Sequence, residues 1–289
     1  MKSKRISAGN EDGVINMGAQ QKAYRFVAID VDDTLLTDDL QVTPGTRAAL
    51  DEAVRQGVVV TLATGRMFSS ARQVASRLGM NVPIITYQGA LIKNLLDGSV
   101  LYERPVPAAA AQEIAAYAEE RGLHLQGYID DKLYASADNE KVKAYSKLTG
   151  VPYEVRTDFR AFAEQGSAKL LIIDEPEKLD AWMPELQERF GDRVHLTKSK
   201  PNYLEFVHPE ATKGHALLHL AAHYGIDRSE TIAIGDSWND HEMIEAAGLG
   251  VAMANAVEPL KRIADYITLS NNDEGVRAVI ERFVLGRGT

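Results

Sequence analysis

The sequence contains no cysteine, so neither disulfide bonds nor thiolate metal sites can form within this chain. No apolar stretch approaches the roughly 18 residues that a membrane-spanning helix needs. Positive charge is in deficit, with 32 Lys and Arg against 41 Asp and Glu, and the net charge of −9 argues against non-specific binding to nucleic acid or an anionic membrane. The remaining composition, 45% hydrophobic and 25% charged, is that of a globular domain. It predicts a cytoplasmic protein that binds a small ligand or a cation.

The 289 residues are enough for two ordinary domains, and the sequence pattern divides them. Residues 1–22 are rich in Gly, Asn, Gln and Ser, which predicts a disordered extension, and no apolar segment follows their basic residues as it would in a signal peptide. Residues 23–90 and 210–289 alternate short apolar runs with helical stretches, a pattern typical of a parallel sheet. Residues 91–209 have α+β character and are too numerous for a loop. We therefore expect a doubly wound, Rossmann-like α/β core interrupted by an inserted α+β cap domain.

The most informative motif is the pair Asp30 and Asp32, which directly follows the apolar run 24–29. Such a run predicts a buried strand, and open α/β sheets bind ligands at the carboxyl ends of their strands. Alternate side chains of an extended backbone share a face, so both carboxylates can reach one site. Buried carboxylates this close need a cation or a shared proton. The motif therefore predicts an active site that holds a metal ion.

Three further polar segments follow predicted strands or open a predicted helix. Phosphoryl transfer needs a nucleophile, a cation over the equatorial oxygens and donors that hold those oxygens. Mg²⁺ prefers oxygen ligands from carboxylates, phosphate and water. Together with the first motif, the three segments supply these groups and predict Mg²⁺-dependent phosphoryl transfer. They are Thr64-Gly65-Arg66, Lys213-Gly214 and Gly235-Asp236-Ser237-Trp238-Asn239-Asp240.

In these motifs the chain resembles a phosphatase of the haloacid dehalogenase superfamily, specifically the Cof-type branch with a large α/β cap. The resemblance extends from Phe26 to Phe283. It implies that Asp30 is the nucleophile and forms an aspartyl-phosphate. It also implies that Asp32 protonates the leaving oxygen and then activates the hydrolytic water.

The same resemblance implies roles for the remaining motif residues. Two positions depart from the family pattern: Asp33 stands where glycine is common, and Gln88 stands where asparagine is frequent. Either change could alter a local turn or a substrate contact, but neither removes a catalytic group. The implied phosphoryl-binding residues are Thr64, Gly65, Lys213 and Asn239. The implied metal-site residues are Asp30, Asp32 through its backbone carbonyl, Asp236, and Asp240 as a supporting acid near the metal and the lysine.

Each motif taken alone has an ordinary structural explanation. Thr64 could cap a turn, and Lys213 could be a solvated residue at a helix start, although its charge opposes the helix dipole there. An EF-hand loop is excluded because its required glycine and glutamate are replaced by Leu35 and Gln41. The joint occurrence of the motifs at strand and helix junctions favours catalysis.

The leading functional hypothesis is a Mg²⁺-dependent phosphomonoester hydrolase that acts on small phosphorylated metabolites, with sugar phosphates as the first expectation. A phosphomutase on the same fold stays open, as does a phosphoacceptor signalling module, although a general acid/base at Asp32 predicts fast dephosphorylation and argues against the latter. We expect no nucleic-acid or membrane partner, and either a monomer or a small homo-oligomer. Substrate identity is not readable, and only 127–128 and 198–202 are suggested as contacts.

Overall fold

The computed structural model describes residues 24–80 and 82–287, so the predicted disordered extension at 1–22 lies outside it. Within the described residues, no helix combines the length and the apolarity needed to cross a membrane. The described chain forms one parallel sheet, one larger mixed sheet and one small antiparallel sheet.

The parallel sheet, here called the core sheet, has five strands. Its strand Phe26–Ile29 pairs with Thr231–Gly235 on one side and with Val59–Leu62 on the other. The sheet continues through Leu249–Ala252 to Tyr266–Ile267. All four residues of the first strand are apolar and buried, as expected for a parallel strand that is covered on both faces.

Helices connect the strands of the core sheet, and their starts follow from the sequence. Thr43 caps the first helix by accepting a hydrogen bond from the Thr46 backbone, and Pro44 occupies the first turn. Thr212 caps a later helix by accepting from the His215 backbone. The helices are Pro44–Arg55, Phe68–Arg77, Lys213–His223, His241–Ala246, Glu258–Ile263 and Gly275–Val279, the last continued by a π-helix at Ile280–Val284.

A three-stranded antiparallel sheet extends one edge of the core sheet. Ile84–Thr86 pairs with Leu91–Lys93, which pairs with Val100–Glu103, and a parallel bridge joins Ala63 to Ile85. Hydrogen bonding therefore groups residues 91–103 with the core sheet, whereas the sequence pattern assigned the inserted segment from residue 91 onward.

The second sheet, here called the cap sheet, has six strands and its own hydrophobic cluster around Tyr117, Phe190 and Phe206. Only its last pair of strands is parallel. The predicted α/β class with a separate sheet-containing cap is confirmed, while the residue limits of the two domains stay a prediction. In sheet order, the strands are His195–Lys200, Tyr203–Val207, Leu170–Ile173, Leu125–Ile129, Lys132–Ala135 and Tyr153–Val155. The accompanying helices are Ala108–Glu120, Glu140–Thr149, Phe159–Ala163 and Pro176–Phe190.

Candidate active site

Asp30 lies at the carboxyl end of the first core strand. Its backbone N–H donates to the carbonyl of Ile234 at 3.0 Å, which continues the pairing of the two neighbouring strands. The chain then turns through Asp33, whose φ of 59° is left-handed. Aspartate tolerates that conformation better than most residues, and Asn255 Nδ2 donates to the Asp33 carbonyl at 2.7 Å. The replacement of glycine at this position is therefore compatible with the turn.

Lys213 links two of the predicted carboxylates through a buried ammonium. Its Nζ lies 2.5 Å from Asp30 Oδ1 and 2.6 Å from Asp240 Oδ1, and all three side chains are buried. Burial lowers the pKa of Lys213, but the two carboxylates outweigh burial and raise it. The ammonium therefore stays charged and compensates two negative groups that are distant from it in sequence.

Asp30, Asp236 and Asp240 form a compact carboxylate cluster, with one ligand oxygen from each lying within 4.8 Å of the others. Thr34 Oγ1 donates to Asp236 Oδ1 at 2.7 Å. Burial, more than the neighbouring carboxylates, raises the pKa of Asp30 well above its ordinary value. Burial and then Asp240 raise the pKa of Asp236 to about 7. Within residues 24–80 and 82–287, no other group of three His, Asp or Glu side chains has this spacing.

Asp240 is held by the backbone of its own loop. Its Oδ2 accepts hydrogen bonds from the backbone N–H groups of Asp236 and Ser237, at 2.9 and 3.0 Å. A Cβ on Gly235 would lie 2.5 Å from the carboxylate carbon of Asp240. Only glycine at position 235 therefore leaves room for this carboxylate to reach Lys213.

Asp32 lies outside this carboxylate cluster and is paired with Arg66. The guanidinium donates from Nε to Oδ2 at 2.8 Å and from Nη2 to Oδ1 at 2.6 Å, a bidentate geometry that favours the carboxylate. Burial raises the pKa of Asp32, but the hydrogen bonds and charge of Arg66 lower it overall. Asp32 is therefore ionised in this arrangement, and the pair must open before Asp32 can donate a proton. Sequence reasoning had left Arg66 without a role.

Thr64 and Gly65 follow the second core strand and border the same cavity. The backbone N–H of Thr64 donates to the Ile85 carbonyl at 3.0 Å, and its hydroxyl accepts from the Arg66 backbone at 3.1 Å. A Cβ on Gly65 would lie 2.3 Å from Gln88 Nε2. A larger residue at position 65 would therefore displace the Gln88 amide from this position.

The cap sheet contributes a buried ion pair that sequence reasoning missed. Lys169 Nζ lies 3.0 Å from Glu205 Oε2 and also donates to the Gly65 carbonyl at 2.8 Å. Ser199 donates to the other oxygen, Glu205 Oε1, at 2.5 Å. One signal was available, because a glutamate within the otherwise apolar run 203–207 is unusual for a buried strand.

Some of these residues line a cavity of about 120 Å³ between the core and cap sheets, whereas Lys213, Asp236 and Asp240 lie outside its lining. Two of the suggested contacts, Ser199 and Lys200, line it, whereas Gly127 and Tyr128 do not. A larger cavity of about 680 Å³ on the cap contains none of the predicted catalytic or metal-site residues, so chemistry rather than volume identifies the site. The lining residues with polar groups are Asp30, Asp32, Asp33, Thr64, Arg66, Tyr145, Thr149, Lys169, Ser199, Lys200, Tyr203, Glu205 and Asn239.

A Rossmann-like core that carries an acidic cluster and a lysine at its strand ends, beneath an inserted cap, defines a class of hydrolases. The sequence profile of the haloacid dehalogenase-like hydrolases matches residues 27–280, and the chain belongs to that family. The predicted class, a Cof-type phosphatase of the haloacid dehalogenase superfamily, is thereby confirmed.

Individual relatives match this chain over nearly its whole length. The M6_Spy0533 protein of Streptococcus pyogenes serotype M6 is 35% identical over 270 residues, covering 91% of this chain and 99% of the relative. HMP-PP phosphatase of Serratia proteamaculans is 32% identical, covering 87% of this chain and 91% of the relative. The crystal structure of TM0651 from Thermotoga maritima is 39% identical, with a TM-score of 0.77, and covers 90% of this chain and 97% of that one.

Proposed function

We propose that the protein is a Mg²⁺-dependent phosphomonoester hydrolase for small phosphorylated metabolites, with sugar phosphates as the first class to test, and that it acts through an aspartyl-phosphate on Asp30. One observation carries the proposal. Lys213 contacts both Asp30 and Asp240, and Asp236 completes a buried carboxylate cluster at the strand ends of the core sheet.

The donor set fits Mg²⁺, which prefers carboxylate oxygens and water. Among the described residues, no hydrogen-bond donor contacts Oδ2 of Asp30 or Oδ2 of Asp236, so each can ligate an ion. Asp240 already accepts three hydrogen bonds. This favours a role for Asp240 in holding the lysine and the loop rather than in binding the ion directly. We assign the ion to the Asp30 and Asp236 carboxylates and the Asp32 carbonyl. When bound, Mg²⁺ would offset negative charge on the transferring phosphoryl group.

The chemistry divides into two displacements at phosphorus. A carboxylate oxygen of Asp30 forms a bond to phosphorus while the ester P–O bond breaks, and Asp32, once protonated, gives its proton to the leaving oxygen. Water then attacks the aspartyl-phosphate as Asp32 takes its proton, which releases phosphate and restores Asp30. Thr64, Lys213 and Asn239 are assigned as donors to the phosphoryl oxygens, with Gly65 beside them.

The cavity lining supports a small polar substrate. Its volume of about 120 Å³ accommodates a compact group next to the phosphoryl, and Tyr145, Tyr203 and Lys200 offer hydroxyl and ammonium groups toward it. The name of the relative HMP-PP phosphatase likewise specifies a small phosphorylated compound. The cytoplasmic location and the absence of nucleic-acid or membrane partners stay predictions from composition.

The direct test uses p-nitrophenyl phosphate with the purified protein and follows released phosphate. We expect turnover with Mg²⁺, none with excess chelator, and its loss in Asp30→Asn. Asp39→Asn is the matched control because Asp39 is an exposed carboxylate in the same segment. Undiminished turnover by Asp30→Asn would remove the nucleophile assignment. A screen of phosphorylated metabolites would then rank substrates, and a phosphorylated protein that survived for hours would favour the signalling alternative.

A further inference from the structure

A chain of three side chains connects the cap sheet to the proposed catalytic centre. Gln88 Nε2 donates to Glu205 Oε2 at 2.8 Å, and Asn239 Nδ2 donates to Gln88 Oε1 at 2.9 Å. All three residues are buried. Glu205 and Asn239 line the catalytic cavity, so this hydrogen-bond chain runs along the cavity wall.

The negative charge of Glu205 fixes the direction of this chain. A carboxylate only accepts hydrogen bonds, so Gln88 must turn its –NH₂ toward Glu205 and its carbonyl toward Asn239. Asn239 must then turn its own –NH₂ toward Gln88. Lys169 donates to the same oxygen of Glu205 at 3.0 Å, so Glu205 Oε2 accepts from two donors and Gln88 has to present its –NH₂ to it.

The polarity leaves Asn239 with one N–H and its carbonyl oxygen for the cavity. Asn239 Oδ1 is buried, and no hydrogen-bond partner contacts it among the described residues. A buried acceptor without a donor is unfavourable, and here it borders a cavity in which a bound ligand or its water would supply the donor. The remaining N–H of Asn239 can donate to a phosphoryl oxygen, whereas its carbonyl oxygen would accept from a hydroxyl group of the ligand or from water.

The backbone around Gln88 holds the middle of the hydrogen-bond chain in place. Gln88 adopts a left-handed φ of 62°, which is unfavourable for glutamine, and its N–H donates to the Thr64 carbonyl at 3.1 Å. Gly65 provides the space that the Gln88 amide occupies. The left-handed backbone at Gln88 and the absence of a side chain at Gly65 both favour this one position of the Gln88 amide.

We propose that Gln88 and Glu205 are positioning residues that orient the Asn239 amide toward the bound phosphate ester. This inference rests on the proposed function, because it takes Asn239 as a ligand of the phosphoryl end of the substrate. Since Glu205 belongs to the cap sheet, the catalytic amide acquires its orientation only while the cap packs on the core.

A double-mutant cycle tests whether Gln88 acts through Asn239. The variants are Gln88→Leu, Asn239→Ala and their combination, assayed for kcat and KM on p-nitrophenyl phosphate with Mg²⁺. We expect Gln88→Leu to lower kcat/KM roughly tenfold in the wild-type background, the equivalent of one lost hydrogen bond, and to have no further effect once Asn239 is alanine. An equal loss in both backgrounds would overturn the proposal.

Ser199→Ala is the matched control. Ser199 donates a hydrogen bond to the other oxygen of Glu205, Oε1, and is not part of the hydrogen-bond chain. Whatever its own effect on kcat/KM, that effect should be the same with and without Asn239. Dependence of the Ser199→Ala effect on Asn239 would show that general disturbance around Glu205, rather than the directed chain, controls the amide, and would also overturn the proposal.

A readout without turnover separates this inference from the proposed function. The side-chain –NH₂ signals of Asn239 are identified by ¹⁵N NMR as the pair missing in Asn239→Ala. We expect Gln88→Leu and Glu205→Gln to shift that pair and Ser199→Ala to leave it in place. If the wild type hydrolyses no phosphate ester, the proposed function fails, but the NMR signals still test the hydrogen-bond chain. An Asn239 –NH₂ pair that does not shift in Gln88→Leu contradicts the positioning role of Gln88.

Discussion

Lys213 is the residue on which the electrostatics of the site depend most. Its ammonium is fully buried and contacts two buried carboxylates, which explains why a lysine is found at a helix start despite the unfavourable dipole. Removing one partner from such a group leaves uncompensated buried charge, which costs more than a surface ion pair contributes.

We therefore predict that Lys213→Met lowers the free energy of unfolding by about 3 to 5 kcal/mol and abolishes phosphatase activity. Urea denaturation measures the first effect and phosphate release the second. Lys213→Met combined with Asp240→Asn removes one uncompensated charge and should recover part of the stability but no activity. A single Lys213→Met variant as stable as the wild type would contradict this account of the buried charges.

At the residue scale, the sequence predicted the groups whose positions follow from chain topology. Asp30, Thr64 and Asp236 end parallel strands, so their convergence follows from the sheet. Glu205 and Lys169 come from the cap sheet, and their approach to the core depends on how two separately folded layers pack. No pattern within one chain segment encodes that packing.

At the scale of secondary structure, the long apolar runs and capped helices of the core were predictable. Thr43 is a favourable capping residue and Pro44 suits the first turn, and the helix begins at Pro44 as these residue types indicate. The short cap strands Lys132–Ala135 and Tyr153–Val155 were not predicted, and only the second lies at an edge of the cap sheet. They are three or four residues long and partly polar, so pairing with neighbours rather than their own sequence determines them.

The helix Glu140–Thr149 carries a pH-sensitive contact at its start. Its N-cap Asn139 accepts from the backbone of Lys141 and Val142, and its Nδ2 contacts His124 Nδ1 at 3.0 Å. Burial, together with the charge of Lys141, lowers the pKa of His124 to about 4. Protonated His124 would present a donor to the Asn139 donor, so the folded state favours the neutral ring.

We predict that His124 makes the protein less stable as the pH falls from about 6.5 toward 4. In that window the unfolded chain binds more protons than the folded one, so stability rises with pH. The loss reaches about 3 kcal/mol near pH 4, and the contribution of His124 becomes independent of pH about one unit above 6.5, where the ring is neutral in both states. Urea denaturation measures the free energy of unfolding at pH 7 and at pH 4.5. The difference between these two free energies should be larger for the wild type than for His124→Leu. Equal differences would refute the assignment.

For the whole molecule, the cap sheet completes a site that the core sheet begins. The fold class and the core chemistry followed from alternating motifs along the chain, whereas the cap–core contacts Lys169–Gly65 and Gln88–Glu205 emerged only from the structure. The cap wall of the cavity, which includes Lys200 and Tyr203, could therefore not be specified from the core motifs alone.

Binding of Mg²⁺ should stabilise the whole fold, because the carboxylate cluster that we propose as its site exists only in the folded state. We predict a rise in Tm, corresponding to about 2.7 kcal/mol at an ion concentration one hundred times the Kd. The rise should be larger at pH 8 than at pH 6, since Asp236, with a pKa of about 7, is more often protonated at the lower pH and protons then compete with the ion. Calorimetry should show this shift in Asp39→Asn and not in Asp236→Asn. A shift retained by Asp236→Asn would place the ion elsewhere.

Covalent transfer of a phosphoryl group to Asp30 is the central step of the proposed mechanism. The most direct measurement uses the Asp32→Asn variant, in which hydrolysis of the intermediate should be slow. The variant is mixed with substrate and Mg²⁺, and the reaction is quenched with borohydride. Borohydride reduces an acyl phosphate to an alcohol. An aspartyl-phosphate on Asp30 should therefore appear as homoserine at position 30 in the peptide mass spectrum. Unmodified Asp30 with homoserine at another aspartate, or phosphate release with no reduced residue at all, would contradict the proposed mechanism.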